Sequence, residues 1–422
     1  AFEFCSGMTG ALVLPENLVS IGERAFVGCS ITGDVTIPQA VTTIESGAFF
    51  GCNGLTAINV AVSNAQYSSL DGALYNKDQT QLVLVPAAKT GTFSIPSSVT
   101  AIADYAVAYC NQLTGTMVLP PNLVTIGDMA FVGCIGFTGE VVIPASVTSV
   151  GSGAFQSVGV SLISVDADNP SYSSVDGMLL SKDGTVLIQC PKGKTGALVF
   201  PGTVTRIGDR AFSGCSGLTG QLVIPVGVER IGNSAFAGCT GFTGQLVVEN
   251  TVTIVDSQAF WGCQGITSAL FKGNAPSTGD ELFEGTAEGF KIYHLAEATG
   301  YASSWGGWPY YPCEVWVENP VDPNWQYEIA DNAVTITGYT GAIENPVIPD
   351  TIEGLPVTAI GYRAFSGRTD ITGSLTLPST LETIGDEAFY QCSALTGDLV
   401  IPEGVTSIGY LAFYWCPGFD GT

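Results

Sequence analysis

Cysteine is the residue type with the most chemical potential in this sequence. Ten of the 12 cysteines recur at one position of a repeating pattern: Cys5, Cys29, Cys52, Cys110, Cys134, Cys215, Cys239, Cys263, Cys392 and Cys416. Paired, such thiols would make the disulfide framework common in secreted domains. Arranged as Cys-x-x-Cys they would hold zinc, but that spacing is absent. Equivalent side chains on stacked layers point in parallel, and the cysteines run in threes and twos. Complete pairing within groups therefore fails, and the expectation is a reduced ladder of small buried apolar groups. Cys190 and Cys313 lie outside the ladder, and Cys190 stands where Val85 stands in a related segment, so it reads as buried.

No other residues assemble a reaction centre. His294 is the only histidine and has no carboxylate or nucleophile beside it in a motif. There is no Gly-x-Ser-x-Gly, no phosphate-cradling Gly-x-x-x-x-Gly-Lys and no His-Glu-x-x-His. Glycine strings such as Gly217-Leu218-Thr219-Gly220 recur as turns, which argues against phosphate binding. No Asp-rich loop has calcium spacing. Catalytic residues, cofactor-binding residues and metal ligands are each expected to be none. Net charge is −25. Such a surface repels phosphate backbones, so nucleic acid is not an expected partner. No apolar run approaches the ~20 residues of a membrane span. The one Asn-x-Ser/Thr match, Asn169-Pro170-Ser171, is blocked by proline.

The elements that position these residues are repeats. Ala-Phe recurs with its aromatic at Phe2, Phe26, Phe49, then Val107, Phe131, Phe155, then Phe212, Phe236, Phe260, then Phe365, Phe389, Phe413. Spacing within each group is 23 or 24 residues, giving about twelve copies. Val158 and Arg368 replace the ladder cysteine in two of them. In the copy from Leu218 to Cys239, Leu222 and Ile224 alternate as in a strand with one buried face. Pro225 then stops the strand. Val228 and Ile231 form a second extended piece. Gly232 turns the chain, at a backbone position that glycine is expected to tolerate best. Ala235-Phe236 follows in a short helical or 3₁₀ turn. One coil cannot bury its own apolar side chains, so stacked coils are expected to bury them on one another as a continuous core. The fold class is a β-rich solenoid of stacked short parallel strands.

The unit Ile-Pro-x-x-Val-Thr-x-Ile-Gly-x-x-Ala-Phe-x-Gly-Cys, cleanest at Ile224 to Cys239, resembles the BspA-like leucine-rich repeat over nearly the whole chain. The resemblance implies a leucine-rich repeat array on a secreted or cell-surface protein. It also implies adhesion or binding to a host or matrix protein or glycan, without catalysis. The alternative is a structural subunit that stacks end to end into an extracellular fibre, because Ala1-Phe2 and the segment ending at Phe419 are in phase with the coils.

A longer period overlies the short one. Asn64, Tyr67, Asp71-Gly72, Lys77-Asp78, Lys89 and Gly91 recur 105 residues on as Asn169, Tyr172, Asp176-Gly177, Lys182-Asp183, Lys194 and Gly196. Each segment reads as a β-hairpin insert, at about 60–98 and 165–203, with Lys-Asp at its protruding tip. Residues 1–318 are read as one array closed by an aromatic cap at about 268–316. Residues 319–422 start a second array led by a hairpin around Ala330-Asp331-Asn332-Ala333, with a linker near 318–323. Trp305, Trp308, Tyr310, Tyr311 and Trp316 cover an open end of the core on one reading. On the other they form a sugar- or peptide-binding platform.

Overall fold

The computed structural model describes every residue except Ala1, 307–309, 317–321, 323, 353–354 and 421–422. It divides into two compact units, Ala1–Val315 and Trp316–Thr422.

In the first unit each coil adds a rung to parallel sheets. One face carries Ser20–Ile21 and Thr43–Ile44, then Ala101–Ile102, Thr125–Ile126 and Ser149–Val150, then Arg206–Ile207, Arg230–Ile231, Ile254–Val255 and Ser277–Thr278. A second face ends in Val223–Ile224, Gly244–Val248, Ile266–Phe271, Lys291–His294 and Tyr311–Val315. Leu222, Ile224, Val228, Ile231, Ala235, Phe236 and Cys239 are all buried, as their spacing requires. Phe212, Phe236, Phe260 and Phe283 stack nearly parallel at 4.7, 5.5 and 5.4 Å.

The third side of each coil corrects the expectation of a helical turn. No helix occurs among the described residues. From Ser234 to Cys239 the amides alternate in direction. Those of Ser234, Phe236 and Gly238 donate to the next coil, at Ser257, Ala259 and Trp261 (2.9, 2.8 and 2.7 Å). Those of Ala235, Ala237 and Cys239 close turns on Gly232, Ser234 and Phe236. Half of the donors are committed between coils, so no helical ladder can run along the segment. Left-handed backbone at Ser234 (φ 51°) and Gly238 (φ 71°) breaks it further.

Gly232 also differs from expectation, because its φ is not positive. The left-handed residue is Ser234, two positions on. Glycine is needed for close stacking: a Cβ at Gly232 would lie 2.5 Å from Asp209 Oδ1 and 2.7 Å from Asp209 N. Gly127, Gly151 and Gly409 meet Asp104, Asp128 and Asp386 in the same way. Gly→Ala at an unstrained position usually stabilises, by thinning the unfolded ensemble. Here the sign reverses. Gly232→Ala is expected to destabilise by about 1–3 kcal/mol in urea titration, the range for overpacking.

The inserts divide the core, so it is not continuous. Ala73–Asn76 and Met178–Ser181 are each buried on both faces. Leu74 packs into the preceding cluster, while Ala73 and Tyr75 pack into the following one. Leu179 likewise faces back and Met178 and Leu180 face forward. A strand covered on both sides reads as an unbroken apolar run, which is why Ala-Leu-Tyr and Met-Leu-Leu do not alternate with polar residues. An additional strand precedes each expected hairpin, Tyr67–Leu70 and Tyr172–Val175, joined by Asp71-Gly72 and Asp176-Gly177 with positive φ at both residues. Asn64 and Asn169, almost fully buried, lock the entry to each insert. Asn169 Nδ2 donates to the Pro144 and Val147 carbonyls, and its Oδ1 accepts from the Ser171 and Tyr172 amides. The Lys77 and Lys182 ammonium groups do not protrude but fold back to donate to the Asn64 and Asn169 carbonyls (2.6 Å each).

The second unit opens with the antiparallel pair Trp325–Ala330 and Ala333–Tyr339. Its two-residue turn, Asp331-Asn332, is left-handed at both positions, the geometry that matches strand twist. Trp325 packs edge-on against Tyr339 and Phe365, covering the end of the Phe365–Phe389–Phe413 stack. Arg368, in the ladder position, pairs with Asp370 and donates to the Tyr339 and Gly341 carbonyls.

Candidate functional site

All twelve cysteines are free. The ladder thiols do more than fill space. Seven of the ten donate to the carbonyl of the anchor residue one coil earlier, among them Cys134 to Val107 (2.8 Å), Cys239 to Phe212 (3.0 Å), Cys263 to Phe236 (3.1 Å) and Cys392 to Phe365 (3.0 Å). Cys110 and Cys215, each following an insert, face the insert carbonyls of Pro86 and Cys190. The anchor carbonyl already accepts its own turn amide, so the thiol occupies its second lone pair. Burial pushes the thiols of Cys52, Cys134 and Cys263 up to about 12. The folded state thus holds their protons more tightly than the unfolded chain, where a thiol titrates near 9. This stabilisation is intact below pH 9 and is lost as pH rises from 9 towards 12. Melting temperature is expected to hold between pH 7 and 8.5 and to fall steadily above 9. Under native conditions the exposed Cys5 and the half-buried Cys416, whose thiol the hydrogen bond with Cys392 lowers to about 7, should react with a thiol reagent, while the buried ladder cysteines react only on unfolding.

The aromatic residues of 305–316 separate. Trp305 packs edge-on to Phe271 (5.0 Å) and Tyr301 (5.1 Å), and Tyr311 edge-on to Phe283 and Phe290. Both lie on the end of the first unit's core. Tyr310 is exposed, Trp316 is half-buried within the second unit, and Trp308 lies outside the described residues. His294 stacks on Tyr301 (4.5 Å). Its Nδ1 sits 2.8 Å from the Leu295 carbonyl, which can only accept, so Nδ1 carries the proton.

A groove of about 540 Å³ opens on the strand face of the first unit. It exists because the first insert interrupts the sheet. Thr43–Ile44 pairs with Ser20–Ile21 on one side, but the next rung on the other side belongs to the insert. The Ile44 amide, which would continue the ladder, donates instead to Tyr67 Oη (2.8 Å). Tyr172 Oη caps Val150 identically at the second insert (2.7 Å). Glu45, Asp104 and Asp128 line the groove with Gln81, Ala101 and Thr125. One oxygen of each carboxylate is held by a backbone amide of an adjacent coil: Glu45 by Glu23, Asp104 by Asp128 and Asp128 by Ser152, all at 2.8 Å. No lysine, arginine or histidine is among the lining residues. Arg24, packed on Gly47, turns its guanidinium to Glu3 (2.7 Å). The arrangement can accept hydrogen bonds and attract cations. Sequence reading missed all three acids. The available signal was Asp recurring directly after the coil glycine, as at Gly127-Asp128, Gly208-Asp209 and Gly385-Asp386.

The stacked coils and their one-position cysteine ladder define a repeat β-solenoid. The chain belongs to the BspA-type leucine-rich repeat family, whose model matches residues 1–81, 84–172, 192–295 and 339–420. Similar solved structures include a leucine-rich repeat protein from Eubacterium ventriosum (19% identity, 96% of this chain and 88% of that one, TM-score 0.46). Another is a leucine-rich cell surface protein from Faecalibacterium prausnitzii (21% identity, 62% and 81%, TM-score 0.39). A third is the pneumococcal vaccine antigen PcpA (16% identity, 96% and 85%, TM-score 0.42). No curated protein matches the chain significantly. No helix among the described residues is long and apolar enough to cross a membrane.

Proposed function

We propose that this chain is a non-catalytic, surface-displayed binding protein that holds a host or matrix protein or glycan. The observation that carries the reading is the set of aromatic rings that the coils hold out to solvent. Tyr362 and Tyr410, 64% and 70% exposed, follow the coil glycine two coils apart. Tyr414 stacks on Tyr390 at 5.4 Å. In the first unit Tyr310 adds a ring 66% exposed. Rings on a stacked backbone lose little entropy on contact and offer both an apolar face and a hydroxyl. Membership of the BspA-type family, and the name of the Faecalibacterium protein as a cell surface protein, support display outside the cell. The test has two arms. Antibody against the chain should label intact producing cells, and the purified chain should capture a partner from an array of matrix proteins and glycans. Unlabelled cells together with an empty array would overturn the reading.

A further inference from the structure

We propose that the groove beside the first insert is the docking site for an extended, lysine- or arginine-bearing peptide segment of a partner protein. This rests on the reading of the chain as a binding protein and names a site and a partner chemistry for it.

The shape comes first. The lining is drawn from five layers: Glu45–Phe49, Gln81–Leu84, Ala101–Asp104, Thr125–Asp128 and Ser149–Gly151. The last four are joined by ladder pairing and at ~4.8 Å per layer span roughly 14 Å, and the first lies beyond the break in the sheet, so a path along all five takes about six extended residues. Ser46, Gln81, Thr125 and Ser149 offer side-chain hydrogen bonds along that path, as a peptide backbone requires.

Charge selects the partner. Glu45, Asp104 and Asp128 face a surface without a lining cation. Their anchoring amides fix the carboxylates before any ligand arrives, so little ordering remains to be done on binding. The net charge of −25 steers cationic segments inward and repels anionic ones.

The chain contains its own contrast. At an offset of 105, Ala101 and Thr125 become Arg206 and Arg230. Arg230 forms a two-bond pair with Asp256 (2.9 and 3.1 Å), and Asp256 stands where Gly151 stands in the groove. The second half of the same unit therefore supplies its own guanidinium to the strand face. The first half leaves that place open with two small side chains.

The experiment uses the full chain and fluorescence anisotropy with a labelled hexapeptide carrying lysine at alternate positions. Its glutamate counterpart serves as the control peptide, and spermine as a free polycation. The basic peptide is expected to bind with an affinity that falls with salt, and the acidic one not to bind. D104N/D128N keeps the amide-accepting oxygens but removes two charges, and is expected to raise Kd about tenfold. A101R/T125R, which copies residues the fold already accepts, is expected to weaken binding at least as much. D398N/E403Q removes the same charge from exposed positions in the other unit and should leave Kd unchanged. Melting curves of each variant separate lost binding from lost fold. The proposal is overturned if groove variants bind like the parent, if the distant variant weakens binding equally, or if spermine binds as tightly as the peptide and is blocked by the same variants. If the basic peptide fails to bind while the array still captures a partner, the groove assignment falls and the reading as a binding protein stands.

Discussion

Phe236→Ala is expected to lower the unfolding free energy by about 3–5 kcal/mol, the range for truncating a fully buried phenylalanine. The ring is 0% exposed and sits between Phe212 and Phe260 with interplanar angles of 7° and 5°. Removing it unpacks two neighbouring coils at once, because each repeat is stabilised mainly by the interfaces on its two sides. The flanking backbone cannot collapse into the space, since the Phe236 amide is tied to Ala259 and its carbonyl to the Cys239 amide and the Cys263 thiol. Phe2 provides the internal comparison: it is 50% exposed and stacks on Phe26 alone at 5.6 Å. Phe2→Ala should therefore cost only about 1 kcal/mol. Urea titration followed by circular dichroism measures both. Equal losses at the two positions would show that stacking between coils is not what the ladder contributes.

Asn169→Ala is expected to cost a similar amount, about 3–5 kcal/mol, for a different reason. Asn169 is 0% exposed and makes four hydrogen bonds, all to backbone groups. Alanine leaves the Val147 carbonyl and the Ser171 and Tyr172 amides without these partners, and the Pro144 carbonyl with the Val147 amide alone. Each orphaned buried group costs ~1–3 kcal/mol before water relieves part of it. Asn169→Asp preserves the two accepted bonds but sets a carboxylate against the Pro144 and Val147 carbonyls, so it should not rescue. The loss should be local at first. Amide exchange is expected to accelerate across Tyr172–Gln189 before the coils from Arg206 onward respond. Asn64→Ala should do the same at the first insert, whose Asn64 bonds the Pro38 and Val41 carbonyls and the Gln66 and Tyr67 amides. A cost below about 1 kcal/mol would mean that the walls are held by their apolar faces alone.

Both positions were visible in the sequence, but not their roles. Phe236 was legible as a core residue because the 24-residue period repeats it. Asn169 was legible only as a match to Asn64, since nothing local indicates that an asparagine within a polar stretch will be buried. The same holds for Tyr67 and Tyr172: their hydroxyls matter only because an insert removes the rung that the Ile44 and Val150 amides would otherwise meet.

The sequence by itself determined the period, the inward face, the strand-stopping prolines, the hairpin turn at Asp331-Asn332, Asp71-Gly72 as turn residues, and the family. These are properties of one coil, or of one turn, and burial or backbone preference encodes each of them within a few residues. Only the tertiary structure decided what happens between coils. Half of the turn amides are spent on the next layer, which rules out a helix that local spacing allowed. Gly232 is glycine because Asp209 of the layer before it lies 2.5 Å from where a Cβ would be. The ladder cysteines are donors because a carbonyl one coil earlier has a lone pair to offer. The acidic groove arises because the first insert folds between the coil of Glu45 and the consecutive coils of Asp104 and Asp128, which bring all three to one face. Each is a contact across 22 to 27 residues or more, and no window of sequence short enough to read as a motif contains both partners.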